Sequence, residues 1–314
     1  MTTAIKKQQQ RYANRLNQVG SLIGQTPLYR IGQAFQKRGV EIYAKLEWKQ
    51  LGGSVKARPA FQIIKSAIEK GDLYPGKTLV DATSGNTGIA YATIGAALGI
   101  PVALCLPADV SAEIKLILQS LGAKIIYTPK AEGMAGAQLR AKSLAEEFPD
   151  EYYSADQYTN EQNWKAHFHG TAVEIWEQTQ GRVTHFITGL GTTGTFLGTG
   201  RRLKLYNPAI ELVALQPNTS KHGLKGWNYL EPALVQKVYD AHLADQFMEA
   251  DTQEAYTWIR WVARKEGLIL SPSAAANLAG AVALADKIDQ GVIVTNFADD
   301  ATKYSTLLHQ ILNP

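Results

Sequence analysis

The sequence predicts an α/β protein built of two three-layer α/β/α domains with mainly parallel sheets. Three observations carry this. From about residue 76 short apolar runs alternate with longer amphipathic ones, the pattern of βαβ units, whose parallel strands need crossover helices. The same alternation returns in the second half. A chain of 314 residues is long enough for two domains of ordinary size.

Each element follows from its local pattern. "TLVDAT" is a strand, "TGIAYATIGAALG" a small-residue helix ending at a glycine, "PVALCLP" a strand, "SAEIKLILQSLG" a helix, "KIIYTP" a strand and "MAGAQLRAKSLAEEF" a helix. In the second half "VTHFITGL" is a strand, "TFLGTGRRLKLY" a helix and "IELVALQP" a strand. "DTQEAYTWIRWVARKEG" is a helix that Asp251 and Glu254 open as a capping-box pair, and "GVIVTNFADD" is a strand near the end.

Composition narrows the function classes. Apolar residues at 45% against 19% charged describe a globular chain, not a disordered one. The formal charge of +4 is carried by Lys6, Lys7, Arg11 and Arg15 in the first 20 residues, so the remainder is balanced and no basic face for nucleic acid is implied. That opening stretch spaces Ile5, Tyr12, Leu16 and Val19 at helical intervals and is expected to pack on the body or on a second subunit. It contains no serine, unlike a typical targeting peptide, and with no spanning helix visible the cytoplasm is the expected location and no membrane partner is implied. The single cysteine, Cys105, lies in an apolar run and is expected to be a buried, inert thiol. His167 and His169 lack a third ligand nearby and are expected to be structural, with no metal site.

Three glycine-rich turns carry the chemistry. In "ITGLGTTGTFLGTG", Gly189, Gly191 and Gly194 spell G-x-G-x-x-G between a strand and a helix. A dinucleotide site would need an acid at the end of the next strand, but "IELVALQPN" ends at Gln216. What remains is a cradle for one isolated phosphate, made of backbone N–H groups at a helix N-terminus with Thr192, Thr193 and Thr195 adding hydroxyls. In "DATSGNTGIA", Thr83, Ser84, Asn86 and Thr87 surround Gly85 at a second strand-to-helix turn, more polar groups than one N-cap needs and suited to a carboxylate. In "EGLILSPSAAANLAGA", Ser271 and Ser273 precede a small-residue helix, which alone is as readily a capped helix as a binding turn. With these, Lys56 in "GGSVKARPA" gains a purpose. A phosphate cradle, a carboxylate cradle and a lysine near a helix start point to pyridoxal 5′-phosphate, whose aldehyde a lysine amine holds as a Schiff base.

The segments "IGQTPLYRI", "KLEWKQLGGSVKARPA", "ATSGNTGIA", "TAVEIWEQTQGRVTHFI", "GLGTTGT" and "VALQP" together resemble the β-family, or fold type II, pyridoxal-phosphate enzymes of the tryptophan synthase β-like fold, and most of all cysteine synthases. "GTTGT" is similar to the B-type members, O-acetylserine sulfhydrylases and their O-phosphoserine-using relatives. The resemblance runs from residue 22 onward. It implies that Lys56 carries the Schiff base and acts as base, that Asn86 bonds the cofactor's 3′-oxygen, that Gly191, Thr192, Thr193, Gly194 and Thr195 hold the phosphate, and that Ser273 faces the pyridine nitrogen. Thr83, Ser84, Gly85, Thr87 and Gln157 match the grip on the substrate carboxylate. In "KHGLKGWNYLEP", Gly223, Leu224 and Trp227 line up with the loop that roofs the active site, with Lys225 where some B-type enzymes carry arginine. Two departures stand out: Ala57 replaces the usual aspartate after the lysine, and Ser271-Pro272-Ser273-Ala274-Ala275-Ala276 loses two glycines of the family loop.

The resemblance further implies a small domain over 57–160, a large one from 22–56 plus 161–314 with the cofactor between them, an extension over 1–21, and a homodimer. The expected reaction is a β-replacement making L-cysteine from O-acetyl-L-serine or O-phospho-L-serine and sulfide or thiosulfate. A cystathionine or cyanoalanine synthase on the same scaffold is the second enzyme reading. A non-catalytic regulatory or partner-binding paralogue is the reading from another class.

Overall fold

The computed structural model describes residues 3–229 and 240–312. In chain order the elements are α1 (Thr3–Gly20), β1 (Leu28–Ile31), β2 (Val40–Leu46), α2 (Ala57–Lys70), β3 (Thr78–Ala82), α3 (Asn86–Leu98), β4 (Val102–Pro107), α4 (Ala112–Ser120), β5 (Lys124–Thr128), α5 (Gly133–Glu147) and β6 (Tyr152–Ser154). There follow α6 (Gln162–Ala166), a π-helical turn (His167–Thr171), α7 (Ala172–Gln178), β7 (His185–Gly189), α8 (Gly194–Tyr206), β8 (Glu211–Pro217), β9 (Gln246–Ala250), α9 (Thr252–Glu266), α10 (Pro272–Lys287), β10 (Gly291–Phe297) and α11 (Ser305–Leu312).

The chain divides into two compact units. The first comprises the residues up to Gly24, Gln50–Gly52 and Lys56–Gln162, and the second Gln25–Lys49, Gly53–Val55 and the residues from Asn163 on. Relative to the expected domains, the N-terminal helix joins the first unit, because Leu16 and Val19 are buried in the same core as Ile63 and Tyr91. The side chain of Ile5 lies outside the described residues. Residues 50–52 join it through Leu51, which packs on that core and donates its N–H to Leu22 at 2.9 Å. The next three residues belong to the second unit, where Val55 donates to the Ala298 carbonyl at 2.8 Å and the Lys303 ammonium to the Gly53 carbonyl at 3.0 Å.

The first unit holds a four-stranded, wholly parallel sheet in the order β5-β4-β3-β6. All six residues of β4 are buried, as expected of a parallel strand covered on both faces. The small residues of α3 let it lie directly on that strand: a Cβ added at Gly95 would sit 2.5 Å from Val102. The helix stops at Gly99, whose φ of 74° is the left-handed cap that glycine adopts without strain. Cys105 is buried with no disulfide, and burial pushes its thiol up to about 11.

The second unit holds six strands in the order β1-β2-β10-β7-β8-β9, parallel except for the β1–β2 pair. Asp251 caps α9 by accepting the N–H groups of Gln253 and Glu254 at 2.8 and 2.9 Å. A polar cluster lies inside this unit. The Lys45 ammonium, fully buried, donates to the Thr26 carbonyl at 2.6 Å, to Glu174 Oε2 at 2.7 Å and to Gln178 Oε1 at 2.9 Å.

Candidate active site

The site residues of the first unit gather at two helix starts. Lys56 stands at the N-cap of α2 and accepts the Ala60 N–H at 3.1 Å through its own carbonyl, which leaves the side chain out of the capping. Just before it Gly52 has a φ of 87°, and a Cβ there would lie 3.6 Å from both Ala57 and Ala90. The glycine therefore serves a left-handed turn wedged where α2 meets α3.

At the start of α3 the "TSGNTG" turn is organised by hydroxyls. Thr83, Thr87 and Gln157 are buried, while Ser84 is exposed and Gly85 and Asn86 are half-buried. Gly85 donates its N–H to Thr83 Oγ1 at 3.4 Å. Thr87 Oγ1 donates to Gln157 Oε1 at 2.7 Å, and Gln157 Nε2 reaches the Ala82 carbonyl at 3.5 Å. The structure thus joins Thr83, Gly85, Thr87 and Gln157 across 70 residues of sequence at the end of β3. The first N–H groups of α3 have no intrahelical acceptor, so this turn presents donors to an anion.

In the second unit residues 189–195 run from the end of β7 into α8, and each glycine of the motif is packed against something. A Cβ at Gly189 would fall 1.8 Å from the Trp227 indole, at Gly191 2.3 Å from the Gly226 carbonyl, and at Gly194 2.1 Å from Asn163 Oδ1. Thr193 caps α8 with a φ of 67°. A left-handed backbone is a genuine outlier for a β-branched residue and costs on the order of 1–3 kcal/mol, the kind of strain that concentrates at binding sites. Asn163 Nδ2 donates to Thr192 Oγ1 at 2.9 Å, and Thr195 Oγ1 lies 3.3 Å from His167 Nε2. His167 Nδ1 lies 2.9 Å from Thr171 Oγ1, so this histidine spans the π-helical turn and the loop. Neither Thr193's conformation nor His167's contact was visible in sequence, where threonine carries no mark of positive φ. Among the described residues no cluster of His, Cys, Asp or Glu could hold a metal ion.

Ser271 is the N-cap of α10 and accepts the Ala274 N–H at 3.2 Å, with Pro272 at the first helical position. Its hydroxyl also lies 3.2 Å from that of Ser273, which is buried. Trp227 belongs to the unit's apolar core beneath Gly189, and Lys225 is exposed. Residues 230–232 of the same stretch lie outside the described residues. Gly189→Ala is expected to cost about 1–3 kcal/mol by overpacking against Trp227, and to displace the loop. Thermal unfolding of the variant, with its retained cofactor measured in parallel, checks both effects.

The cradle can be tested against pyridoxal phosphate. Closely packed glycines, threonine hydroxyls and a helix N-terminus fit a phosphate monoester. β8 ends at Gln216 and Pro217, leaving no acid there for a ribose. Within the same unit, the buried hydroxyls of Ser271 and Ser273 suit a further polar group of that cofactor. The profile of the family described as "Pyridoxal-phosphate dependent enzyme" matches residues 19–299. The chain belongs to this family. It is 44% identical to the cysteine synthase of Aquifex aeolicus over 91% of this chain and 89% of that protein. It is 37% identical to the cysteine synthase B of Pseudomonas aeruginosa, covering 91% and 95% of the two chains. The crystal structure of an O-acetyl serine sulfhydrylase isoform 3 from Entamoeba histolytica superposes with a TM-score of 0.86 at 32% identity, covering 92% of this chain and 89% of that one. As a pyridoxal-phosphate dependent enzyme similar to cysteine synthases, the chain has the expected fold type II architecture of α/β units with parallel sheets.

Proposed function

We propose that this enzyme makes L-cysteine by exchanging the β-substituent of O-acetyl-L-serine for sulfide. The observation that carries the reading is the Thr83–Thr87 turn braced by Gln157, a receptor for an amino-acid carboxylate at a helix N-terminus. Similarity to cysteine synthases supports the same assignment.

Pyridoxal phosphate, when bound, supplies an electron sink for the donor's α-carbon. The protein's own residues do the rest. The N–H groups and hydroxyls of residues 191–195 would hold the phosphate, Asn86 the ring 3′-oxygen and Ser273 the ring nitrogen. Lys56 would hold the aldehyde at rest. As a free, uncharged amine, Lys56 would take the α-proton at Nζ and later return it. Thr83, Ser84, Thr87 and Gln157 hold the donor carboxylate and so fix the α-proton's direction. Ser273 is uncharged, which makes the sink weaker than an aspartate partner would and suits a reaction whose leaving group departs early.

Lys225 is a point charge without the bidentate fork of arginine. On this reading it lends tolerance for anionic co-substrates such as O-phospho-L-serine or thiosulfate, while O-acetyl-L-serine and sulfide remain the main pair. The enzyme is further proposed to act as a cytoplasmic homodimer, which sedimentation of the purified protein would test. No helix among the described residues is long and apolar enough to cross a membrane.

The deciding experiment is cysteine formation by the purified, cofactor-loaded protein with each donor and each sulfur source. Cystathionine or cyanoalanine formation at higher efficiency would move the assignment to those synthases. A protein without a visible cofactor band or turnover would be the non-catalytic paralogue. Ser84→Ala and Thr87→Ala are each expected to weaken donor binding by about 1.5–3 kcal/mol, the worth of one hydrogen bond to a charged group, and to spare cofactor affinity. Titration of both ligands separates the two effects, and a collapse of cofactor affinity alone would reassign the turn.

A further inference from the structure

Asp81 is a buried carboxylate on a central strand of the first unit's sheet. It is the fourth residue of β3, is 5% exposed, and sits beside core residues Val80 and Ala82. Its two oxygens do different work. Oδ1 accepts the N–H of Ala82 at 2.7 Å, and Oδ2 accepts the N–H of Gln157 at 3.3 Å.

The second bond lies where the sheet ends. β3 and β6 pair in parallel from Thr78–Tyr152 to Val80–Ser154, and the last backbone bond runs from the Ala155 N–H to the Val80 carbonyl at 3.0 Å. Beyond it the chain turns away at Asp156, whose φ is 40°. The Asp81 side chain takes over from the ladder and holds the next amide but one. That amide belongs to Gln157, whose side chain bridges the Ala82 carbonyl and the Thr87 hydroxyl.

We propose that Asp81 is a positioning residue for the amino-acid donor: its ionised carboxylate holds the Gln157 amide, and so sets Gln157 and Thr87 where they meet the donor carboxylate. The proposal rests on Thr87 and Gln157 being the carboxylate grip. A carboxylate can serve two N–H groups with two acceptor oxygens. Once protonated, one oxygen becomes a hydroxyl, and the longer bond to Gln157 is the one to be lost.

The surroundings place this change near neutrality. Burial pushes the Asp81 carboxyl up to about 7, against the opposing pull of the Ala82 and Gln157 amides and the Tyr91 hydroxyl. Facing it are Tyr91 from α3, Cys105 from β4, Tyr153 from β6, and Asp156 and Tyr158 from the turn, with Arg140 of α5 acting on the Cys105 side. Burial raises the pKa of each of the three tyrosines and the thiol, so they stay neutral, and Asp156 is the like charge that adds to the upward push. Above its pKa Asp81 is ionised and the grip is set. Below it the grip loosens.

The test compares donor KM and kcat between pH 6 and pH 8 in the holoenzyme and in Asp81→Asn, which fixes a protonated-like side chain. In the wild type donor KM is expected to rise about threefold to tenfold as pH falls through this window, the worth of one hydrogen bond. In Asp81→Asn it should be high throughout, with the residual pH dependence of the donor amine alone and kcat near wild type. Asp81→Glu, which keeps a carboxylate, should restore the pH dependence. A wild-type KM that is flat or falls with acid, as bare repulsion between two carboxylates would give, overturns the proposal. So does an Asp81→Asn enzyme with wild-type KM and profile, or one that loses only kcat. Hydrogen exchange at the Gln157 amide at pH 8 gives a substrate-free arm: faster exchange in Asp81→Asn is expected, and unchanged protection overturns the proposal. Should Asp81→Asn not fold, the wild-type profile and Asp81→Glu decide. A wild type that makes no cysteine at pH 8 refutes the proposed function instead, and the exchange arm still judges Asp81.

Discussion

Lys56→Ala is expected to lower cysteine formation by about four orders of magnitude, the upper range for losing a positioned general base. The loss should appear in kcat, because the lysine acts on the α-proton in the transition state and not on the donor carboxylate. The backbone of residue 56 caps α2 through its carbonyl, so the fold should survive the substitution. The cofactor should still bind through its phosphate, but the visible band of the lysine-linked form should be missing. Absorbance and circular dichroism of the purified variant check retention of cofactor and fold, and stopped-assay cysteine determination checks rate. Turnover near wild type would remove the whole functional reading.

Lys45→Met is expected to destabilise the second unit by about 3–5 kcal/mol. Lys45 is fully buried and donates to three oxygens, one of them on Glu174, which is itself 4% exposed. Removing the ammonium takes a hydrogen-bonded opposite charge away from a buried carboxylate, and breaking a buried pair from one side costs more than the pair itself contributes. The double substitution Lys45→Met with Glu174→Met removes both charges and should recover a large part of the loss. The Thr26 amide and carbonyl, which bond Glu174 and Lys45, limit that recovery. Urea unfolding of the three proteins checks this, and a single variant as stable as wild type would show that water reaches the cluster.

Much of the fold was legible because parallel strands and their crossover helices differ sharply in pattern. The β3–α3–β4–α4–β5–α5 series appears in sequence as a clean alternation, and the structure follows it. β6 was not legible: Tyr152–Ser154 is three residues, too short to establish a period. The packing of Leu16 and Val19 against the first unit settled which surface α1 covers, which helical spacing alone had left open. At the site, glycine spacing pointed to the cradle, but the atoms that press on those glycines come from Asn163, Gly226 and Trp227, distant in sequence. The indole of Trp227 lies against Gly189, where a bulky side chain explains why that residue has none. Asp81 was invisible as a special residue, since one acid in "TLVDAT" resembles an outward-facing strand position.

The burial of Cys105 has a bearing on the company this enzyme keeps. Thiol–disulfide exchange and persulfide formation both begin from a thiolate that small molecules can reach. With its thiol pushed up to about 11 and no exposed surface, Cys105 offers neither. At neutral pH only about one such group in ten thousand would be ionised. On the proposed function, a catalyst that works amid sulfide and releases free cysteine holds its one thiol out of reach of both, and its product cannot accumulate there as a mixed disulfide.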